Sequence, residues 1–167
     1  MIKKLRIFIS LMPIIALLLA LAPGTAPALA QETVVFQAQS NQPIFVSTEC
    51  PEEVEAVCFN FEASGAANIM GPVSWTINVV QESLPPPCAD GTSEITLAGA
   101  TGTITLSTSE VICPSPTPFG FPFLSSANWE ITGGTGEFSG ITGSGTGRAV
   151  ILPNGKNTVH FSGTVSY

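Results

Sequence analysis

The sequence contains few cations and few of the side chains that usually carry acid–base chemistry. Of its 167 residues only five are Lys or Arg, and three of these, Lys3, Lys4 and Arg6, stand at the N-terminus. There is one His, one Tyr and one Asp. A protein that binds nucleic acid needs clustered Lys and Arg to neutralise phosphates, so this composition argues against nucleic acid as a partner.

A phosphate-binding loop is also missing, although seven of the twenty residues 131–150 are glycine. That stretch contains neither G-x-G-x-x-G nor G-K-[ST], the spacings with which backbone amides surround a phosphate. The chain beyond the N-terminal segment has no convincing helical periodicity, so no helix follows the glycines to complete such a site. We interpret the stretch as a bent β-hairpin.

The first 30 residues have the pattern of a secretory signal peptide. A basic start is followed by an apolar run over 7–22 and by Ala28-Leu29-Ala30 ahead of Gln31, which is the order of n-region, h-region and cleavage site. The shortness of the run disfavours the alternative, a retained membrane anchor. We predict a signal peptide at 1–30 and a secreted or extracytoplasmic domain at 31–167, without a stable membrane anchor after cleavage.

Residues 31–167 are strongly acidic. Only Arg148 and Lys156 are cationic in this range, against all twelve acids of the chain, which gives a net charge of −10. Such a surface repels nucleic acid and anionic membranes. The length is sufficient for one domain with its own hydrophobic core.

Apolar and polar residues alternate along most of 31–167, and Gly, Pro, Ser and Thr separate the alternating runs. Alternation of period two predicts strands with one buried face. The clearest runs are 34–38, 73–79, 95–97, 104–106, 129–131 and 159–167. The pattern predicts an all-β domain of roughly eight to ten strands, arranged as a sandwich or a barrel.

The four cysteines predict two disulfides. Their separations of 8, 30 and 25 residues do not fit a zinc site, and an even number of cysteines in an exported protein is typical of disulfides. A hairpin that turns near Ala100 and Thr101 pairs residues whose numbers sum to 201, which brings Cys88 opposite Cys113. We therefore predict Cys88–Cys113 and, by elimination among the three connectivities, Cys50–Cys58.

Turn signals also predict how the last three strands pair. A tight turn at 133–136 would place Ile131 opposite Phe138, and Trp129 opposite Gly140. In such a hairpin the small Gly140 would leave room for the indole of Trp129.

The Asn154-Gly155 dipeptide predicts the next turn, at 153–156. It would place Arg148 opposite Phe161 and Val150 opposite Val159. The core face would then carry Trp129, Ile131, Phe138, Arg148, Val150, Leu152, Val159, Phe161, Val165 and Tyr167. The outer face would carry Gly143, Gly145, Gly147 and His160, among other residues.

The glycine-rich stretch contains the pattern G-G-T-G-x-F-x-G-x-x-G. Its fixed positions are Gly133, Gly134, Thr135, Gly136, Phe138, Gly140 and Gly143. The pattern resembles the glycine-rich hairpin of the allene oxide cyclase and dirigent superfamily. The resemblance implies a single antiparallel β-barrel of about eight strands with an apolar cavity, similar in shape to lipocalin-like barrels. In that superfamily the matching positions are architectural.

No catalytic constellation is indicated. A Ser-His-Asp triad would require His160 and Asp90, and we expect the first on the outer face and the second in a loop. The acids of the segment 49–55 lack the spacing of a calcium loop. We expect no resident cofactor or metal.

The candidate ligand contacts come from two places. Arg148 is predicted on the core face, where it could meet a ligand, a buried carboxylate or the ring of Phe161, or extend to water at the barrel rim. The Phe/Pro segment 114–123 could form an apolar lid at the barrel mouth or complete the core. The candidate contacts are Arg148, Phe161, Phe119, Phe121, Phe123 and Trp129.

Three functions are compatible with these patterns. The first is a secreted barrel that binds a small hydrophobic molecule or partner without turnover, which the shortage of acid–base groups favours. The second is a cyclase or dirigent-like enzyme, which the hairpin resemblance implies. The third is a structural protein of the cell envelope with a filled barrel. The sequence does not predict the oligomeric state.

Overall fold

A computed structural model describes residues 32–50, 56–81, 88–115, 123–151 and 158–167. The predicted signal peptide at 1–30 lies outside these ranges, so its cleavage stays a prediction. Within them, no helix is both long and apolar enough to cross a membrane.

The described chain forms eight antiparallel strands and one turn of 3-10 helix, Gly136–Phe138. The strands are β1 (Thr33–Ser47), β2 (Val57–Ala67), β3 (Gly71–Gln81), β4 (Ala89–Gly99), β5 (Gly102–Pro114), β6 (Phe123–Gly134), β7 (Thr142–Ile151) and β8 (Thr158–Ser166). Each pairs with the next in sequence, and β8 returns to pair with β1. Closure leaves no unpaired sheet edge, and the prediction of an all-β, eight-stranded barrel is confirmed.

One half of the barrel interior is filled by large side chains, and we call this half the closed end. Trp129 lies edge-on to Phe36, with ring centroids 5.3 Å apart, and its indole N–H donates to the carbonyl of Thr146 at 3.0 Å. The buried side chains of the closed end are Phe36, Ala38, Ala67, Val73, Trp75, Leu97, Ile104, Leu106, Trp129, Phe138, Ile141 and Val165. Their burial is the main packing contribution to stability.

The hairpin formed by β4 and β5 is the one predicted. Gly99 pairs with Gly102 across the turn, and every pair below it sums to 201. The disulfide Cys88–Cys113 continues this register, and Cys50–Cys58 is the second disulfide. Both predicted disulfides are confirmed.

The predicted turn at 133–136 is wrong. Strand β6 continues to Gly134, the 3-10 turn follows, and β7 begins only at Thr142. Phe138 therefore does not face Ile131; it is buried beneath the barrel, where it closes one end of the core. Trp129 pairs with Gly145 rather than Gly140. The β6–β7 connection is therefore longer than a tight turn, and this length allows it to bury the ring of Phe138.

The predicted register of β7 and β8 is wrong by one residue. Arg148 pairs with His160, and Gly147 pairs with Phe161. Because side chains alternate between faces, this shift moves Arg148 and Val150 to the outer face. It moves the glycines of the strand to the inner face.

The inward glycines make room for aromatic rings. A Cβ on Gly147 would lie 2.2 Å from Cε1 of Phe161, and one on Gly145 would lie 2.7 Å from Cζ2 of Trp129. These distances are far below van der Waals contact, so the two rings occupy the space that side chains on β7 would need. Tyr167, also predicted on the core face, follows the end of β8 and is 52% exposed.

Candidate ligand-binding cavity

The other half of the barrel encloses a cavity of about 480 Å³. It opens at the end of the barrel where β1, β3, β5 and β7 terminate, which we call the mouth. Pockets for small organic ligands typically measure roughly 300–1,000 Å³. The interior of an eight-stranded barrel can be filled by side chains or can hold one small ligand. In this barrel, side chains fill the closed end and the cavity occupies the other half.

Small inward side chains leave the space unfilled. The inward positions of β4, β6 and β7 near the mouth are occupied by Gly91, Ser93, Ser125, Ala127, Gly147 and Ala149. At the closed end the corresponding strands carry Leu97, Trp129 and, beneath β7, Ile141. The cavity therefore results from the small volume of the inward side chains near the mouth, since the same strands carry large side chains at the closed end.

The cavity wall is mainly apolar. The apolar side chains that line it are Pro43, Phe59, Phe61, Ile77, Val79, Ala89, Ile95, Ile112, Phe123, Ala127, Ala149, Val159 and Phe161. The floor is Phe161, which is buried and stacks on Trp75 with ring centroids 5.8 Å apart and planes inclined by 13°. Phe161 thus separates the cavity from the closed end.

One carboxylate projects into this apolar space. Glu110 occupies an inward position of β5, two residues beyond the buried Thr108. Its register partners are Gly91 on β4 and Ala127 on β6. Both are small, so the side chain has room on either side, and a Cβ on Gly91 would lie only 3.4 Å from Cγ of Glu110.

Two buried serines hold the Glu110 carboxylate. The hydroxyl of Ser93 donates to Oε1, and the hydroxyl of Ser125 donates to Oε2 at 2.5 Å. These serines are the diagonal neighbours of Glu110 on β4 and β6, which is the distance a side chain of this length reaches across a sheet. Ser93 is itself placed by its backbone N–H, which donates to Oγ1 of Thr108 at 3.2 Å.

Glu110 is not among the residues predicted from the sequence, although the sequence contains a signal for it. The register of the β4–β5 hairpin places Leu106 on the core face, and continued alternation places Thr108, Glu110 and Ile112 there too. A glutamate within an inward-facing row is unusual enough to mark a site, because an unpaired buried charge is costly.

The structure distributes the predicted ligand contacts over three environments. Phe161 forms the cavity floor, and Phe123 lies at the mouth, where it lines the cavity and is 46% exposed. Trp129 is buried in the closed end and does not line the cavity. Phe119 and Phe121 lie outside the described residues.

Arg148 lies at the mouth, with its side chain on the outer face and exposed. The prediction that it shares the core face with Phe161 is wrong, for the register reason given above. It still borders the cavity opening.

The remaining polar candidates do not form a cluster. His160 is exposed on the outer face, as predicted, whereas Asp90 lies in β4 and not in a loop. In the ranges that the structure covers, no three His, Cys, Asp or Glu side chains come together as metal ligands would.

The mouth has an apolar rim. Among the described residues, seven large hydrophobic side chains are exposed, and five of them lie where strands begin or end at the mouth. These five are Val46, Val57, Val111, Phe123 and Leu124. Both disulfides lie at this same end, where each links a cysteine just outside a strand, Cys50 or Cys88, to one within a strand, Cys58 or Cys113.

No protein-family model and no curated protein matches the sequence. Among solved structures, the chain is similar to a pyocyanin demethylase, with a TM-score of 0.46 at 16% identity over 78% of this chain and 98% of that one. It is also similar to two pterocarpan synthase dirigent proteins. The first has a TM-score of 0.38 at 11% identity over 89% of this chain and 96% of that one. The second has 0.37 at 14% over 81% and 96%.

These likenesses are too distant to transfer a substrate or an activity.

Proposed function

We propose that the protein binds a small, mainly apolar molecule in its barrel cavity without converting it. The observation that carries this proposal is a cavity of about 480 Å³ with a largely apolar wall and an opening at one end. Transfer of an apolar ligand from water into such a space is favourable by about 25 cal/mol per Å² of apolar surface buried, before the cost of association.

The alternative of a structural protein with a filled barrel is less well supported, because large side chains fill only the closed end. Small residues at neighbouring inward positions on three strands keep the mouth half open. Open space in a core costs stability, since each missing side chain removes packing contacts. Ligand binding would explain why the sequence keeps this cavity despite its cost in stability.

We expect that partly filling the cavity weakens ligand binding. The test ligand is 1-methylnaphthalene, a small apolar molecule. Ala149 lines the cavity, so the ring introduced by Ala149→Phe should occupy part of the space and lower the affinity for this ligand at least ~10-fold. Titration calorimetry of the purified domain measures this. The matched control is Ala66→Phe, which adds the same ring at an exposed position of β2.

The control should bind 1-methylnaphthalene as the parent protein does. Equal affinity in all three proteins would place the probe outside the cavity and would argue against the proposal. Circular dichroism establishes that each variant keeps its strand content.

Of the predicted contacts, we propose that Phe161 and Phe123 touch the ligand at the floor and at the opening. Arg148 would contact only the part of a ligand that reaches the solvent, where charge interactions are weak. Phe119 and Phe121 stay predicted contacts.

An enzyme that acts on a small apolar molecule is a second candidate, favoured by one observation. Glu110 is a carboxylate oriented by two hydroxyls inside an apolar cavity, which is how a general base is placed. Native mass spectrometry of protein from its own host would detect a molecule carried through purification. If that molecule is recovered unchanged after incubation with the protein, binding without turnover is supported, whereas a converted product supports the enzyme.

We further propose that the domain is exported. Its two disulfides are compatible with an oxidising compartment, and the predicted signal peptide supplies the route. Protein isolated from the medium or envelope of its host is expected to begin at Gln31 in an intact-mass measurement. A mature chain that retains residues 1–30 would contradict this.

A further inference from the structure

The Glu110 carboxylate has hydrogen-bond donors but no cationic partner in the part of the chain that the structure describes. Its two contacts are neutral serine hydroxyls. Of the two cations in 31–167, Arg148 is exposed on the outer face, and Lys156 lies outside the described residues. A carboxylate in apolar surroundings is normally compensated by a cation or a metal.

The carboxylate also keeps free acceptor capacity. An ionised carboxylate has about four lone-pair sites, and the serines occupy one on each oxygen. The register partners Gly91 and Ala127 are too short to reach the remaining sites. These sites therefore remain available to a molecule in the cavity.

We infer that Glu110 selects an apolar molecule that carries one cationic nitrogen, such as a protonated amine or an N-alkylated aromatic heterocycle. This inference rests on the proposed function, because it specifies which ligand the same cavity takes. The cation would form a charge-assisted contact with the carboxylate, while the rest of the ligand packs on the apolar wall. The aromatic rings of Phe59, Phe61 and Phe161 line the same cavity and can add cation–π attraction.

The charge of the whole chain acts in the same direction. Its formal net charge is −7, so the overall field of the protein favours the approach of a cation over that of an anion. An anionic ligand would be repelled by the half-buried Glu110 carboxylate, and the cation Arg148 at the opening is exposed, so that its attraction is screened by solvent.

Three probes of nearly the same shape separate charge from apolar contact. N-methylquinolinium is cationic, 1-methylnaphthalene is neutral and 1-naphthoate is anionic. On the unaltered protein we expect N-methylquinolinium to bind at least ~10-fold more tightly than 1-methylnaphthalene, with 1-naphthoate the weakest. Titration calorimetry gives all three affinities, and this ranking tests the inference without a variant.

The variant Glu110→Gln then assigns the preference to one side chain. The amide has the same shape and an oxygen that can still accept from a serine, so the barrel should fold as before. We expect the affinity for N-methylquinolinium to fall at least ~10-fold and that for 1-methylnaphthalene to change less than about 2-fold. The matched control is Glu94→Gln, since Glu94 lies on the neighbouring strand with its side chain exposed.

The outcomes distinguish the two levels of the proposal. If 1-methylnaphthalene binds in the cavity and N-methylquinolinium binds no more tightly, the binding function stands and the charge selection is wrong. The same conclusion follows if Glu94→Gln and Glu110→Gln have equal effects. If none of the three probes binds, the proposed function fails together with the inference.

Discussion

Replacing Gly136 with alanine is expected to lower the free energy of unfolding by about 3 kcal/mol or more. Gly136 begins the 3-10 turn and has φ of +62°, a conformation that costs an L-residue roughly 1–2 kcal/mol. A Cβ there would also lie 2.1 Å from the carbonyl oxygen of Thr101. Because that atom belongs to the backbone, the clash can be relieved only by moving the turn away from the β4–β5 hairpin.

The turn is fixed at that hairpin by hydrogen bonds. The backbone N–H of Glu137 donates to the carbonyl of Thr101 at 3.1 Å, and that of Thr135 donates to the carbonyl of Thr103 at 2.9 Å. Phe138 is buried just beyond them, so a displaced turn would also withdraw this ring from the closed end. The two losses together explain why the expected effect exceeds that of strained backbone alone.

Gly140→Ala is the matched control for this prediction. Gly140 also has a positive φ, +82°, but an added Cβ would meet nothing within 4 Å. Gly140→Ala should therefore lower the free energy of unfolding by only about 1 kcal/mol, which is the cost of the positive φ without a steric clash. Urea unfolding of both variants measures the difference, and equal losses would show that contact with Thr101 is not what requires glycine at position 136.

The sequence predicted the β4–β5 hairpin accurately because its pattern leaves little freedom. Ile95, Leu97, Ile104 and Leu106 alternate with polar residues on both strands. A shift of one residue would turn the two apolar side chains of one strand to water while those of the other strand stay on the core face. The disulfide Cys88–Cys113 follows from the same register, since no other pairing of the strands brings the two cysteines opposite each other.

The register of β7 could not be predicted in the same way. From Thr142 to Thr146 the strand alternates Gly with Ser and Thr, so neither face is marked by apolar side chains. Register is weakly specified in such strands. The structure resolves the ambiguity through the neighbours of the strand: the rings of Trp129 and Phe161 need space, and only inward glycines provide it.

The cavity is harder to predict from the sequence than the strands are. Glu110 could be placed on the inner face by alternation, but the space beside it depends on small side chains from several strands at once. Those residues, among them Ser93, Ala127 and Ala149, become neighbours only after β6 and β7 are correctly aligned. The one-residue error in β7 moved Arg148 into the predicted site.

Removing the disulfide Cys88–Cys113 by the double substitution Cys88→Ser/Cys113→Ser is expected to lower the free energy of unfolding by about 3 kcal/mol. The bridge closes a sequence separation of 25 residues, and its loss frees the unfolded chain. Urea unfolding under non-reducing conditions measures the change. Cys50→Ser/Cys58→Ser, with a separation of 8, is the matched comparison and should cost about 1 kcal/mol less in the same chain-entropy estimate.

We also expect the loss of stability on removing Cys88–Cys113 to be confined to the mouth half of the barrel. The closed end is held by packed aromatic and aliphatic side chains, whereas the mouth half gives up that packing to keep its cavity. Both disulfides lie at the mouth, where covalent links substitute for the missing core. Hydrogen exchange of Cys88→Ser/Cys113→Ser should therefore accelerate near Gly91 and Glu110, while amides around Leu97 and Ile104 stay protected. Uniform acceleration along β4 and β5 would mean that the barrel opens as a single unit and that its two halves are not stabilised separately.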